Sequence, residues 1–88
     1  MKRFEELKND IRQFGVNGKW IKATEHSKLF NTRHKNHLDK KGWIWFNEII
    51  QKYRNGEIII FKIRYRNWFV LPEYEQEFLQ IYPDASRK

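Results

Sequence analysis

Two apolar runs separated by a short polar break constrain the fold of this chain more than any other feature. The runs cover residues 58–65 and 68–71, and Arg66-Asn67 stands between them. Strand-length apolar runs on either side of a two-residue polar break predict a β-hairpin. The pairing of two strands fixes which side chains share a face of the sheet, so this hairpin decides where a core can form.

The first run alternates from Ile59 onward, and side chains in a strand switch sides at every residue. We expect one apolar face, made of Ile59, Phe61, Ile63 and Tyr65. We expect a cationic face on the other side, made of Lys62, Arg64 and Arg66. Three cations in a row toward the hairpin tip indicate an anionic partner. The alternative is a solvated outer face that keeps the hairpin soluble.

Composition limits the chain to one small domain. It has 88 residues, 17% aromatic side chains and no cysteine, which excludes disulfides and thiolate metal sites. We place the domain at residues 1–83, with residues 84–88 as a frayed tail. The positive N-terminus is followed by no apolar signal segment, and no run approaches the length of a membrane span. A cytoplasmic location is the expectation.

The net charge of +7 is unevenly distributed. Residues 19–41 carry seven cations and two anions, and residues 57–67 carry three cations and one anion. Residues 68–88 carry two cations and four anions. Such a distribution is typical of a protein that binds a polyanion. A membrane surface is disfavoured as the partner, because no segment is a basic amphipathic helix with a wide apolar face.

The N-terminal third predicts helices with a short strand between them. Residues 2–14 have an apolar stripe at helical spacing, which suits packing on the core; a short homodimer seam is the alternative. Residues 19–23 predict either a short strand or a lead-in to the next helix. Thr24 is a good N-cap for that helix, which ends at Phe30. Asn31-Thr32 then predicts a turn, followed by a helix over residues 33–41. The stripe consists of Phe4, Leu7, Ile11 and Phe14.

Two more helices flank the hairpin. One begins at Phe46 and ends at Asn55-Gly56, a favourable C-cap, with Asn47, Gln51 and Arg54 on its polar face. The other begins at Pro72, which suits a first helical turn, and Pro83 ends it. Its predicted buried stripe consists of Tyr74, Phe78, Ile81 and Tyr82.

Catalytic and metal-binding chemistry has little support. His34 and His37 have helical spacing and His26 is near in sequence, but only Asp39 could complete a metal site in this cationic region. No serine lies in a strand-turn-helix elbow, and the four glycines do not form a phosphate-binding loop. We therefore expect a non-enzyme without metal or cofactor.

Nucleic acid is the partner that the residue types suit best. Asn and Gln can pair with adenine and Arg with guanine, while Lys and Arg neutralise phosphates of any sequence. Each of the four tryptophans is better explained as core than as a base-stacking platform in so small a domain. Candidate contacts are Arg33, Lys35, Asn36, His37, Lys40, Lys41, Asn47, Gln51, Arg54, Lys62, Arg64, Arg66 and Asn67.

The order helix, turn, helix, hairpin, helix resembles a winged helix-turn-helix. One segment looks like part of the small excisionases and MerR-like domains of phages and mobile elements. It begins at Gly56, continues through an apolar strand, a basic turn and an aromatic strand, and ends at the acidic Glu77-Phe78-Leu79. The resemblance implies a small winged-helix α+β domain that binds double-stranded DNA as a regulator of transcription or recombination. In these families the recognition helix runs directly into the wing.

Two segments compete for the role of recognition helix, namely residues 33–41 and residues 46–54; the first supplies more charge. Two other functions stay open. A small phage protein could inhibit a host nucleic-acid-handling or defence protein through its basic face. An RNA-binding module would require solvent-facing Trp or Phe on the sheet.

Overall fold

A computed structural model describes residues 3–33 and 47–88. The described part has four α-helices and a four-stranded sheet, which confirms the α+β class. In chain order the elements are α1 (Arg3–Phe14), β1 (Trp20–Lys22), α2 (Ala23–Arg33), α3 (47–54), β2 (Ile59–Ile63), β3 (Arg66–Val70), a 3-10 turn (Pro72–Tyr74), α4 (Glu75–Ile81) and β4 (Ser86–Arg87). The short strand predicted within residues 19–23 is present as β1. The element order differs from that expected of a winged helix-turn-helix, because β1 separates α1 from α2 and β4 follows α4.

The sheet is antiparallel, with strand order β1-β3-β2-β4. The hairpin is confirmed, but its turn lies at Arg64-Tyr65 rather than at Arg66-Asn67. Arg64 adopts a φ of 56°, the left-handed conformation that a two-residue hairpin loop requires at its first position. This turn lets Ile63 pair with Arg66, so that all five residues of β2 find partners in β3.

The earlier turn removes the expected row of three cations. Residues directly opposite each other in a sheet share a face, so Arg66 lies on the same face as its partner Ile63. Lys62 lies on the other face, and Arg64 is in the turn. Tyr65, expected on the buried face, is 96% exposed at the tip.

Both faces of the sheet are buried near its base. On one face Ile21, Ile60 and Phe69 pack with α1 and α3 residues in what we call the helix-side core. On the other face Phe61 and Phe78 stack with ring centroids 5.0 Å apart. This second cluster, the α4-side core, consists of Trp20, Ile59, Phe61, Val70 and Phe78. Trp20 therefore belongs to the core, as expected.

The apolar stripe of α1 serves the core of its own chain. Phe4, Leu7 and Ile11 are all buried in the helix-side core, which confirms packing on the core. Phe14 is 60% exposed, so it is the one predicted stripe residue that lies outside that core.

α2 is longer than expected. It begins at Ala23, so Thr24 lies inside the first turn and the predicted N-cap is wrong. It runs through Asn31 and Thr32 to Arg33, so the predicted turn is wrong as well. The Thr32 hydroxyl donates a hydrogen bond to the carbonyl oxygen of Lys28 at 2.9 Å, an arrangement that helices tolerate. The rest of the helix expected over residues 33–41 lies outside the described residues.

α3 ends as expected at Asn55-Gly56. The Gly56 amide donates to the carbonyl of Tyr53 and the Glu57 amide donates to that of Lys52, at 3.1 and 3.0 Å. These two bonds form a Schellman motif, which requires the left-handed φ of 79° at Gly56.

The C-terminal segment departs from expectation in two places. Ile81 is 54% exposed rather than part of a buried stripe, although Phe78 is fully buried. The tail expected to be frayed forms β4 on the edge of β2, with Lys62 paired to Ser86. A turn closed by the Ala85 amide and the Tyr82 carbonyl, 3.1 Å apart, brings the chain back to that edge.

Two glycines provide a matched test of the backbone. A Cβ on Gly15 would clash with the carbonyl oxygen of Ile11 and lie 2.6 Å from that of Trp20, whereas one on Gly56 meets nothing within 4 Å. We expect Gly15→Ala to lower the free energy of unfolding by about 2 kcal/mol or more. Gly56→Ala should lower it by about 1 kcal/mol through its positive φ alone. Urea unfolding measures the free energy of unfolding of both variants. An equal decrease in the two would contradict the close approach of the Ile11 and Trp20 carbonyls to Gly15.

Candidate nucleic-acid interface

The hairpin tip concentrates cations that lack acidic partners. Lys62, Arg64 and Arg66 are exposed, and none forms an ion pair with any residue of 3–33 or 47–88. Six other cations of the described chain are each within 4 Å of a carboxylate oxygen. These pairs are Lys8–Glu5, Lys19–Glu77, Lys28–Glu25, Arg33–Glu6, Lys52–Glu57 and Arg87–Glu75. The positive charge of the hairpin is therefore uncompensated within the described fold.

A groove of about 710 Å³ lies beside the tip. Its lining comes from the end of β1, the start of α2, the hairpin and the chain after α4. Trp68 and Tyr82 contact each other in this lining, with ring centroids 5.8 Å apart. Lys22 Nζ lies 5.3 Å from the centre of the Trp68 ring, a cation–π contact. The groove thus combines aromatic rings with cations, and Asp84 is the one acid among its described lining residues.

Of the groove lining, the sequence prediction of the interface included Arg64, Arg66 and Asn67. It omitted the other described lining residues, among them Lys22, Tyr65, Trp68, Tyr82 and Asp84. Trp68 was expected in the core, and it does pack beside the α4-side core while also lining the groove. Lys22 and Tyr82 come next to Trp68 only through the pairing of β1 with β3 and through the fold of the chain after α4. Local sequence patterns did not predict these contacts.

The exposed face of α3 matches expectation. Asn47, Gln51 and Arg54 are all exposed, while Ile49 on the opposite face is buried in the helix-side core. Their spacing of four and three residues places the amides and the guanidinium on one face of the helix. Arg54 also has no ion pair with any of the described residues.

Arg33 differs from the other predicted contact residues. Its guanidinium lies 3.0 Å from Glu6 Oε1 and donates to both Asp10 carboxylate oxygens, at 2.6 and 2.5 Å. These ion pairs compete with any phosphate for the same group. The remaining candidates from the same segment lie outside the described residues: Lys35, Asn36, His37, Lys40 and Lys41.

Asp10 also anchors a buried histidine. His26 Nδ1 lies 2.7 Å from Asp10 Oδ2, and both side chains are almost fully buried, at 0% and 2% exposed. Burial lowers the pKa of His26 below its usual 6.5, and this effect outweighs the raising effect of the Asp10 carboxylate. The cluster of Asp10, His26 and Arg33 ties α1 to α2, and in this arrangement no substrate can reach the imidazole.

One sequence signal for this cluster was available. Asp10 follows Leu7 by three residues and precedes Ile11, so it falls within the apolar stripe of α1. A carboxylate at such a position must be paired, because an unpaired buried charge is costly. The other two histidines that were considered as metal ligands, His34 and His37, lie outside the described residues. No described group of three metal-ligating side chains converges.

No helix in the described ranges is long and apolar enough to cross a bilayer. Comparison with known proteins finds no match: no family model, no curated protein and no solved structure matches the chain.

The pKa of His26 predicts how stability changes with pH. Between its folded pKa and 6.5, the unfolded chain binds a proton at His26 that the native state excludes. We expect the free energy of unfolding to fall as pH decreases from 7.5 to 5.5, with a slope of at most about 1.4 kcal/mol per pH unit from this group. His26→Gln, which can still donate to Asp10, should flatten that dependence. The free energy of unfolding is measured with urea at each pH for the native protein and for His26→Gln. If it changes with pH equally in both, His26 is not the group responsible.

Proposed function

We propose that this protein is a small, non-catalytic DNA-binding protein that contacts the phosphates of a duplex through its hairpin tip. The observation that carries the proposal is that Lys62, Arg64 and Arg66 form no ion pair with residues 3–33 or 47–88, whereas many other cations of these ranges do. When such cations neutralise phosphates, they release the counterions condensed on the DNA, and this release provides most of the affinity that does not depend on sequence.

The backbone at Arg64 supports the same interpretation. A φ of 56° is unfavourable for a side chain with a Cβ, and glycine would adopt it without strain. A strained position occupied by arginine favours a functional reason for the guanidinium. Contact with a phosphate is such a reason.

The charge on the two faces of the sheet orients the duplex. The segment from Glu73 to Glu77 lies by α4, on the face opposite the helix-side core. Two of its acids pair with cations, Glu77 with Lys19 and Glu75 with Arg87. Acids of this segment would repel phosphates placed directly over α4, so we infer that DNA approaches from the hairpin tip.

α3 is our candidate for the helix that enters the major groove. It runs directly into the hairpin through the Gly56 cap, as the recognition helix does in the winged-helix families that the sequence resembles. Its exposed Asn47 and Gln51 suit adenine, and Arg54 suits guanine or a phosphate. The competing segment, residues 33–41, has its first residue already held by Glu6 and Asp10. A regulatory role in a phage or mobile element follows from the resemblance.

The test is duplex-DNA binding over a salt series, with the variant Arg64→Gly/Arg66→Ala beside the native protein. Each lost phosphate contact lowers the log–log salt slope by roughly 0.9, so the double variant should bind more weakly with a slope about 2 units shallower. Glycine relieves the strain at position 64, so the variant should unfold at a urea concentration no lower than the native chain.

The control removes the same charge elsewhere. Lys8→Ala/Lys28→Ala deletes two cations that pair with Glu5 and Glu25 within their own helices. It should change the salt slope by much less than the hairpin variant. Equal effects of the two double variants would show that only the total charge matters and would refute a hairpin site.

A further inference from the structure

We propose that the groove beside the hairpin tip binds an unpaired nucleotide, so that the protein prefers DNA with a single-stranded segment to a blunt duplex. The inference deepens the proposed function and rests on it for the phosphate contacts at the tip. It concerns a second mode of contact, stacking on bases, that a closed duplex does not offer.

The composition of the groove suits a single strand. Proteins that bind single strands combine a cationic groove for the backbone with aromatic rings on which bases stack. Here Trp68 and Tyr82 provide the rings, and the cations are Lys22, Arg64 and Arg66. A volume of about 710 Å³ is within the usual range of ligand sites.

Tyr65 is the second observation. It is 96% exposed and lines the groove between two arginines, and no described contact of its ring within the chain accounts for an aromatic side chain there. A base that stacks on Tyr65 would remove this ring from water. Its flanking phosphates would then lie near Arg64 and Arg66, which precede and follow Tyr65 in the turn.

The charge of the groove also argues for a polyanion rather than an apolar ligand. Within the described lining, three cations and one acid, Asp84, border the groove, and no ion pair joins Asp84 to Arg64 or Arg66. An apolar ligand would leave those cations partly desolvated without a partner, which is unfavourable. A nucleotide satisfies both the rings and the cations.

The experiment compares two labelled DNAs by fluorescence anisotropy, a blunt duplex and the same duplex with a six-nucleotide 3′ overhang. Stacking one base should make the overhang form bind about tenfold more tightly. Tyr65→Ser/Tyr82→Leu should lose this preference while keeping its affinity for the blunt duplex. Leucine preserves the apolar contact of residue 82 with Phe78, and position 65 is exposed, so the fold is retained.

Phe14→Ser is the matched control, because it removes an exposed aromatic ring that does not line the groove. It should keep the tenfold preference. Equal affinity of the native protein for both DNAs would overturn the inference, and so would a preference that survives in the Tyr65/Tyr82 variant. Free thymidine monophosphate should compete with the overhang DNA only at much higher concentration than a six-nucleotide single strand does. If both compete at the same concentration, the inference is overturned in favour of a site for free nucleotides.

Failure of the proposed function gives a different result. If the blunt duplex does not bind at low salt while a single-stranded oligonucleotide does, duplex binding is refuted and the groove proposal stands. Binding of both with no effect of the Tyr65/Tyr82 variant would leave the hairpin cations as the site and remove the groove.

Discussion

The register of the β2–β3 hairpin is the constraint on which the rest of the fold depends. A slip of one residue would move Phe61 and Phe69 to the wrong faces of the sheet, and each is buried in a different core. The two-residue turn at Arg64-Tyr65 fixes that register. The same turn places its own two side chains beyond both cores, where neither can be buried by the fold. Structure and candidate site therefore depend on one local backbone conformation.

The sequence predicted well what depends on local pattern. The stripe of α1, the end of α3 at Gly56 and the existence of the hairpin could all be read from spacing and cap residues, because these signals act over a few residues. The exposed face of α3 followed from the same periodicity. The cationic character of the hairpin was also predicted, although its three cations do not form the predicted row on one face.

What sequence reasoning missed depends on contacts between distant segments. Arg64 gave no signal for a turn, because its positive φ is typical of glycine or asparagine rather than arginine. β4 is held by pairing with β2 and carries no apolar pattern of its own. The cluster of Asp10, His26 and Arg33 joins two helices, and the groove joins four segments. Tertiary pairing decides each of these features, so no local pattern contained them.

The most direct measurement of the central claim is a map of backbone amide chemical shifts during titration of the native protein with a short duplex DNA. The account predicts that the largest changes occur at residues 62–67 and on the exposed face of α3, and that they diminish as salt is added. Residues 75–81 of the acidic α4 should change least. Changes centred on α4, or none at the hairpin while binding is detected, would contradict the account.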